Sequence, residues 1–261
     1  MKRFILAAAL LASGLAGAAQ AADNKADDSQ LRAAIADSHR SSTNVARDTW
    51  RHPYETLTFF GIKPNMTVVE LLPESGWYTE ILAPYLRQDG KLIAGGLISK
   101  TLLESKPAVY DKVVRGGFNP PKGIYNFAPP NSVDMVLTFR NVHNFVDLGD
   151  DKVKDMFKAV YTSLKPGGVL GVTDHRLPES MPQDATAKSG YVHESYVIKM
   201  AESAGFKLAA KSEINANPKD KADHKNGVWA LPPTLTNKDE DRAKYQAIGE
   251  SDRMTLKFVK P

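Results

Sequence analysis

What most constrains this chain is an alternation, sustained from Thr67 to Ile214, of short apolar runs with stretches of helical composition. Thr67-Val68-Val69-Glu70-Leu71-Leu72 is nearly continuous in its apolar character, the pattern of a parallel strand buried on both faces. A helix is expected to follow from about Tyr78 to Leu86. Asp89-Gly90 then turns the chain into a second strand, Lys91 to Ala94, with a helix near Leu102 to Val114 and a weaker third strand at Ile124 to Phe127. Val133 to Phe139 reads as strand four, Arg140 to Asn144 as a loop, and Lys152 to Leu164 as a helix stopped by Lys165-Pro166-Gly167-Gly168. Strand five is expected at Val169 to Thr173, and a helix at Glu194 to Ala204 whose N-terminus is marked by His193-Glu194. Gly205 caps that helix before a strand from Phe206 to Ile214, and Met254 to Val259 supplies the last strand. Strands that alternate with helices imply an α/β fold with a mostly parallel sheet, which binds ligands beyond the carboxyl ends of its strands at the topological switch point. The loops after strands one, two and four are therefore where function is sought.

The start of the chain carries a different signal. Met1-Lys2-Arg3 precedes an apolar run from Phe4 to Ala19, and Ala19-Gln20-Ala21 then leads into the acidic stretch Asp23 to Asp28. That order is the pattern of a cleaved signal peptide over residues 1–21, and the apolar run is shorter than the roughly 20 residues a membrane span needs. Periplasmic export is the expectation, with no stable membrane anchor after cleavage. Residues 22–50 read as a linker and helical extension, with short helices at Gln30 to Arg40 and Val45 to Trp50, and residues 51–261 as the main domain. The chain has no cysteine, so neither disulfides nor a lipid-modified cysteine contribute, and stability must come from a core. Setting aside Lys2 and Arg3 leaves 32 basic side chains against 30 acidic ones, with no basic block, which argues against nucleic acid and leaves a small molecule as the expected partner.

Several segments, taken in order, match a known family: Val68-Val69-Glu70 before a turn and helix, Phe127 to Val136, Leu164-Lys165-Pro166-Gly167-Gly168-Val169-Leu170, and Glu202-Ser203-Ala204-Gly205-Phe206. Together they resemble the landmarks of class I S-adenosylmethionine (SAM)-dependent methyltransferases over about residues 61–214. Arg51-His52-Pro53, Gly76 to Glu80, Gly227 to Pro233 and Ile248 to Arg253 resemble a bacterial group of exported predicted methyltransferases. The resemblance implies a Rossmann-like class I methyltransferase fold, a mostly parallel seven-stranded sheet with an antiparallel last strand, and SAM as cofactor. It also implies cofactor contacts from Glu70, Glu74, Gly76, Gly95 and Asn126. The family's glycine-rich loop is altered here: Glu70 and Gly76 fit it, whereas Leu72 and Glu74 stand where the first two glycines belong, and Pro73 removes a backbone donor. Gly95-Gly96 stands where an acidic residue would meet the ribose, and Asn126 is the nearest substitute for an adenine-binding Asp.

For catalysis, Arg140-Asn141-Val142-His143-Asn144 lies at the end of strand four, either as a polar loop capping the next helix or as a reactive cluster. His143 is the candidate general base and Arg140 its companion, since a neutral imidazole accepts protons near pH 7. Asp174-His175-Arg176 is a similar cluster, but neighbours on a strand point to opposite faces, so Asp174 and His175 are not expected to serve one site. Trp77 and Tyr78 either line the cofactor pocket or pack the first helix. The six histidines form no H-x-H pair and no H-E-x-x-H helix, so no metal site is expected. Two functions remain: a periplasmic SAM-dependent methyltransferase, and a binding or structural module that kept the fold but lost SAM. The segment 215–252 is expected to form an ordered cover. Cleavage between Ala21 and Ala22 is predicted, so intact-mass analysis of a periplasmic extract should give the shortened chain; a full-length mass in the cytoplasmic fraction would contradict export.

Overall fold

The computed structural model describes residues 28–261; the expected signal segment and the first residues of the linker lie outside them. Four short helices precede the sheet: α1 over residues 28–36, α2 (Ser42–Val45), α3 (Asp48–Arg51) and α4 (Pro53–Phe60). Pro53 occupies the first turn of α4, where its missing N–H costs nothing, and Gly61 ends the helix at a φ of 84°. The α/β unit then runs β1 (Thr67–Leu71), α5 (Thr79–Leu86), β2 (Lys91–Gly95), α6 (Lys100–Ser105), α7 (Pro107–Tyr110), β3 (Val114–Gly116) and β4 (Val133–Phe139). It continues through α8 (His143–Val146), α9 (Asp150–Ser163), β5 (Leu164–Leu177), β6 (Val192–His193), α10 (Glu194–Ser203), β7 (Lys207–Ser212), α11 (Arg242–Ile248) and β8 (Arg253–Val259).

Seven strands lie in the order β3-β2-β1-β4-β5-β8-β7, and the two-residue β6 pairs with the end of β5. The strands β1 to β5 pair in parallel, and β8 runs antiparallel to both its neighbours. The direction of winding reverses between β1 and β4, which makes their carboxyl ends the switch point. Side chains alternate across the sheet: Val68, Met135 and Leu137 join Phe60, Ile81 and Leu82 on the α4/α5 side, while Val69, Val136, Leu170 and Val172 join Phe157, Val160 and Met200 on the α9/α10 side. Both faces are dry, as the apolar runs require.

Several elements differ from the sequence reading: the helix expected near Leu102 to Val114 is split into α6 and α7 with Val114 opening β3, the loop expected at Arg140 to Asn144 runs into α8 at His143, and β6 was not expected. The third strand is Val114–Gly116 rather than Ile124 to Phe127, which forms only a bridge from Ile124 to Asn119 and sends Phe127 into the core. The true strand is a short sheet edge with exposed Val114 and Arg115, and so it has no buried face to leave a period in the sequence. Strand five does not begin at Val169 but extends through Lys165-Pro166-Gly167-Gly168. The pairing slips between Val133 and Met135, and Gly167 and Gly168 exchange hydrogen bonds with Lys260 at the end of β8. Gly167 takes a φ of 78° there.

The segment 215–252 is pinned by buried polar side chains. Asn217 donates to the carbonyls of Ile248 and Glu250 at 2.9 and 2.7 Å. Asp220 accepts from the Tyr191 hydroxyl at 2.9 Å, pairs with His224 at 2.8 Å, and receives the Ala222 and Asp252 amides at 2.9 and 2.8 Å. Among the described residues, no helix is long and apolar enough to cross a membrane. Replacing Asp220 by Ala strands these four donors, so a loss of roughly 2–4 kcal/mol is expected in urea unfolding, with new protease cuts confined to 215–252. An unchanged unfolding midpoint would show that the network does not hold the cover.

Candidate functional site

The cleft opens where the switch point predicts, over the ends of β1, β4 and β5. Its walls are Arg51, Glu70 to Ser75, Trp77, Tyr78, Phe139 to Asn141, His143, Asn144, His175 and Trp229, and they enclose a cavity of about 220 Å³. The two strand ends are tied together by Asn141, whose amide donates to the carbonyl of Leu71 at 2.9 Å. Tyr78 stacks on Phe139 with ring centres 3.6 Å apart, and the indole of Trp77 donates to the Asn44 carbonyl at 3.0 Å. Both aromatic residues are buried, so they pack the first helix and line the cleft at once.

Along β1, Val68 and Glu70 share one face, which brings the Glu70 carboxylate beneath α5. It accepts a hydrogen bond from the Thr79 hydroxyl at 2.6 Å. Burial pushes this carboxyl up to about 7, against the opposing effect of Thr79, so it titrates near neutrality. In the loop that follows, Leu72, Glu74 and Gly76 all have positive φ, at 44°, 51° and 81°. These are the three positions where the altered motif would carry glycine. The glycine-type path of the backbone is kept, at a cost of order 1 kcal/mol for each side chain held there. The Leu72 amide donates to Gly95 and the Glu74 amide to Leu97, so both are spent on the neighbouring strand end. Among the described residues, the Ser75 amide has no such partner.

The sequence candidates separate into two groups. Glu70, Glu74, Arg140 and His143 line the cleft together, whereas Gly76, Gly95 and Asn126 are outside its lining. Gly76 is buried with its Cα facing Leu102 of α6, and Gly95 is packed so closely on β1 that an added methyl would lie 2.9 Å from Leu71 Cδ2. Asn126 is exposed, with its side chain laid over Gly117. A methyl added at Gly96 would lie 2.8 Å from Leu72 Cδ2, so the Leu72 side chain covers the floor where a ribose would be expected.

At the other wall, the Asp174 carboxylate accepts from the His143 amide at 3.0 Å, pairs with His143 Nδ1 at 2.8 Å and accepts from the His175 amide at 2.8 Å. His143 Nε2 is left without a protein partner on a ring that lines the cleft. Asp174 and His175 thus serve one site, contrary to the expectation from strand alternation. They do point to opposite sides of β5, but at the strand end the loop after β4 meets Asp174 from one side, and the His175 ring on the other lies 5.1 Å from that of His143. His175 Nδ1 is held by the Ser251 hydroxyl at 2.5 Å, and burial together with His143 keeps its pKa well below the ordinary range, so it stays neutral. The ligand atoms of His143, Asp174 and His175 fall within 4.8 Å of one another, a grouping that the scattered histidines of the sequence did not reveal. Four arginines close to it make the place a poor one for a cation.

Three of those arginines, Arg47, Arg51 and Arg253, surround one carboxylate. Glu250 accepts from Arg47 Nε at 2.6 Å, from Arg51 Nε at 3.2 Å and from Arg253 Nη1 at 3.0 Å. Burial raises the Glu250 carboxyl, but Arg51, Arg253 and Arg47 outweigh it and hold it at about 2. Trp229 comes from the cover, 38% exposed, with its ring 6.4 Å from that of His143.

No protein-family model and no curated protein sequence matches the chain. Solved structures do match in fold. A SAM-dependent methyltransferase from Aquifex aeolicus aligns at a TM-score of 0.55 and 16% identity, over 90% of this chain and 99% of that one. Geranyl diphosphate C-methyltransferase from Streptomyces coelicolor A3(2), solved with Mg²⁺, geranyl diphosphate and S-adenosyl-L-homocysteine, aligns at 0.55 and 12%, over 88% of each chain. The [4+2]-cyclase SpnF aligns at 0.51 and 14%, over 86% of this chain and 84% of that one. The fold is therefore the Rossmann-like class I methyltransferase fold. At such identities the shared property is the fold, and the activity must be argued from the site.

The charge cluster gives a test. A carboxyl held below its unfolded value adds stability that is present above about pH 4.5 and is lost as the pH falls toward about 2. Glu250→Gln is expected to lose roughly 3–5 kcal/mol at neutral pH, because three guanidiniums lose their counter-charge, and to show a shallower acid dependence than the native chain. Equal stability of the two proteins at pH 7 would contradict this.

Proposed function

We propose that the chain is a periplasmic SAM-dependent methyltransferase acting on a small-molecule acceptor in the cleft between β1, β4 and β5. The observation that carries this reading is the loop after β1, which keeps positive φ at Leu72, Glu74 and Gly76 although two of the three are not glycine. A chain released from the need for that loop shape has no reason to sustain the strain. SAM supplies an electrophilic methyl group on a cationic sulfonium. The carboxylates of Glu70 and Glu74 offer negative charge on that wall of the cleft, and the Ser75 amide is free to donate to an anionic end of a ligand. On the facing wall, His143 Nε2 would take the proton of an acceptor hydroxyl or similar nucleophile as that atom bonds the methyl carbon and the sulfonium–methyl bond breaks, leaving a neutral thioether. Asp174 fixes the His143 ring through Nδ1 and stabilises the imidazolium that results. Trp229 and the cover exclude water, and positioning carries most of the acceleration of an in-line displacement.

A second reading, a binding module on the same fold, has its own support. Leu72 lies over Gly96, and the amides of Leu72 and Glu74 are already engaged. Calorimetric titration of the mature protein with SAM and S-adenosylhomocysteine separates the two. The methyltransferase reading expects binding that Glu70→Ala abolishes and that Leu72→Gly strengthens. Because Glu70 titrates at about 7, its neutral form favours the folded free protein below about pH 4.5 and that contribution fades as the pH rises through 7. A cationic ligand needs the ionised form, so affinity should rise between about pH 6 and about pH 8. Tight binding indifferent to Glu70→Ala would place SAM elsewhere, and no binding by either the native or the Leu72→Gly protein would favour the module.

A further inference from the structure

We infer that Arg51 and Arg140 form an oxyanion subsite in this cleft, so that the acceptor carries a carboxylate or phosphoryl group. The inference deepens the methyltransferase reading, on which it rests for the word acceptor, whereas the oxyanion site itself stands on the charges alone. Arg51 is only 2% exposed, lines the cleft, and spends Nε on Glu250, while its Nη2 is buried without a hydrogen-bond partner. The Arg140 guanidinium, at the end of β4, makes no hydrogen bond or ion pair among the described residues. It borders both the main cleft and a smaller recess formed with Arg47, His175, Pro232 and Glu250.

The charge count around this point does not close within the protein. Arg47, Arg51 and Arg253 share the single carboxylate of Glu250, and Arg253 also leaves its Nε buried without a partner. Asp174 is occupied by three N–H groups, and Glu70 is turned under α5 onto the Thr79 hydroxyl. Buried guanidinium donors without acceptors are costly unless a ligand supplies them, and a planar fork is matched by two oxygens of one anionic group. An oxyanion held there sits between Arg140 and the His143–His175 pair, on the side of the cleft away from Glu70 and Glu74. That separation of signs keeps a cationic methyl donor and an anionic acceptor in different halves of one cleft.

Inorganic phosphate serves as the probe, titrated calorimetrically into the full mature protein with and without saturating S-adenosylhomocysteine. One site is expected, with phosphate still bound when S-adenosylhomocysteine is present. Arg140→Gln, which removes no hydrogen bond or ion pair among the described residues, should weaken phosphate by about tenfold or more while the thermal midpoint stays near native, and Arg140→Lys should recover part of the loss. Absence of phosphate binding, or equal binding by Arg140→Gln, would overturn the subsite. Displacement of phosphate by S-adenosylhomocysteine would assign the oxyanion to that molecule's own carboxylate and overturn the link to the acceptor. Phosphate binding in a protein that fails to bind S-adenosylhomocysteine would leave the oxyanion site standing and remove the methyltransferase reading instead.

Discussion

The buried carboxylate of Asp174 is the point on which the site is built. It gathers three N–H groups, two from His143 and one from His175, and so fastens the loop after β4 to the end of β5. The positive φ of 60° at Arg140 and the bond from its amide to the Thr173 carbonyl turn the chain sharply at the same place. Without that anchor, the four-residue α8 would keep His143 over the cleft only through the packing of Phe145 and Val146 and the Asn141 bond to Leu71, and helices of one turn are not stable alone. The same carboxylate leaves one ring nitrogen of His143 for chemistry and fixes the tautomer of the other.

Around this anchor the cleft is divided by charge. Acidic groups lie at the end of β1 and in the loop after it, and guanidiniums lie after β4, at the start of β8 and in the helices before β1. The helical extension is therefore part of the site rather than an ornament, because α3 contributes Arg51 and the last strand contributes Arg253 to one cluster on Glu250. The backbone of the loop after β1 keeps a path suited to glycine while its side chains alter what that path can hold. Leu72 lies over Gly96, and the cleft runs from the β1 wall to the histidines and arginines.

The repeated strands and helices were legible because both faces of the sheet are buried and the apolar runs are correspondingly unbroken. Val133–Phe139 was read to the residue. The edge strand Val114–Gly116 was not, since two of its three residues are exposed and nothing apolar recurs there. His143 and Arg140 are singled out by their position at the end of strand four, a rule that needs no knowledge of side-chain packing, whereas Glu70 and Glu74 rest on the family resemblance; all four line the cleft. Gly76, Gly95 and Asn126 come from the family pattern and lie outside the lining of the cleft. Arg51, Asp174, His175 and Glu250 escaped as a set because their meeting depends on chain segments up to 199 residues apart. Arg51-His52-Pro53 and Ile248 to Arg253 stand in the sequence only as parts of the resemblance, and nothing in their spacing places their charges together.

The central claim, that the cleft over β1 and β4 receives the ligand and faces His143, is tested most directly by histidine-selective NMR of the mature protein. The six histidines give separate probes, of which His143 and His175 line the cleft while His39 and His193 lie elsewhere. Addition of S-adenosylhomocysteine is predicted to shift the ring signals of His143 and His175 and to leave those of His39 and His193 in place. Saturating ligand that moves none of the cleft signals, or that moves only the distant ones, would contradict the account.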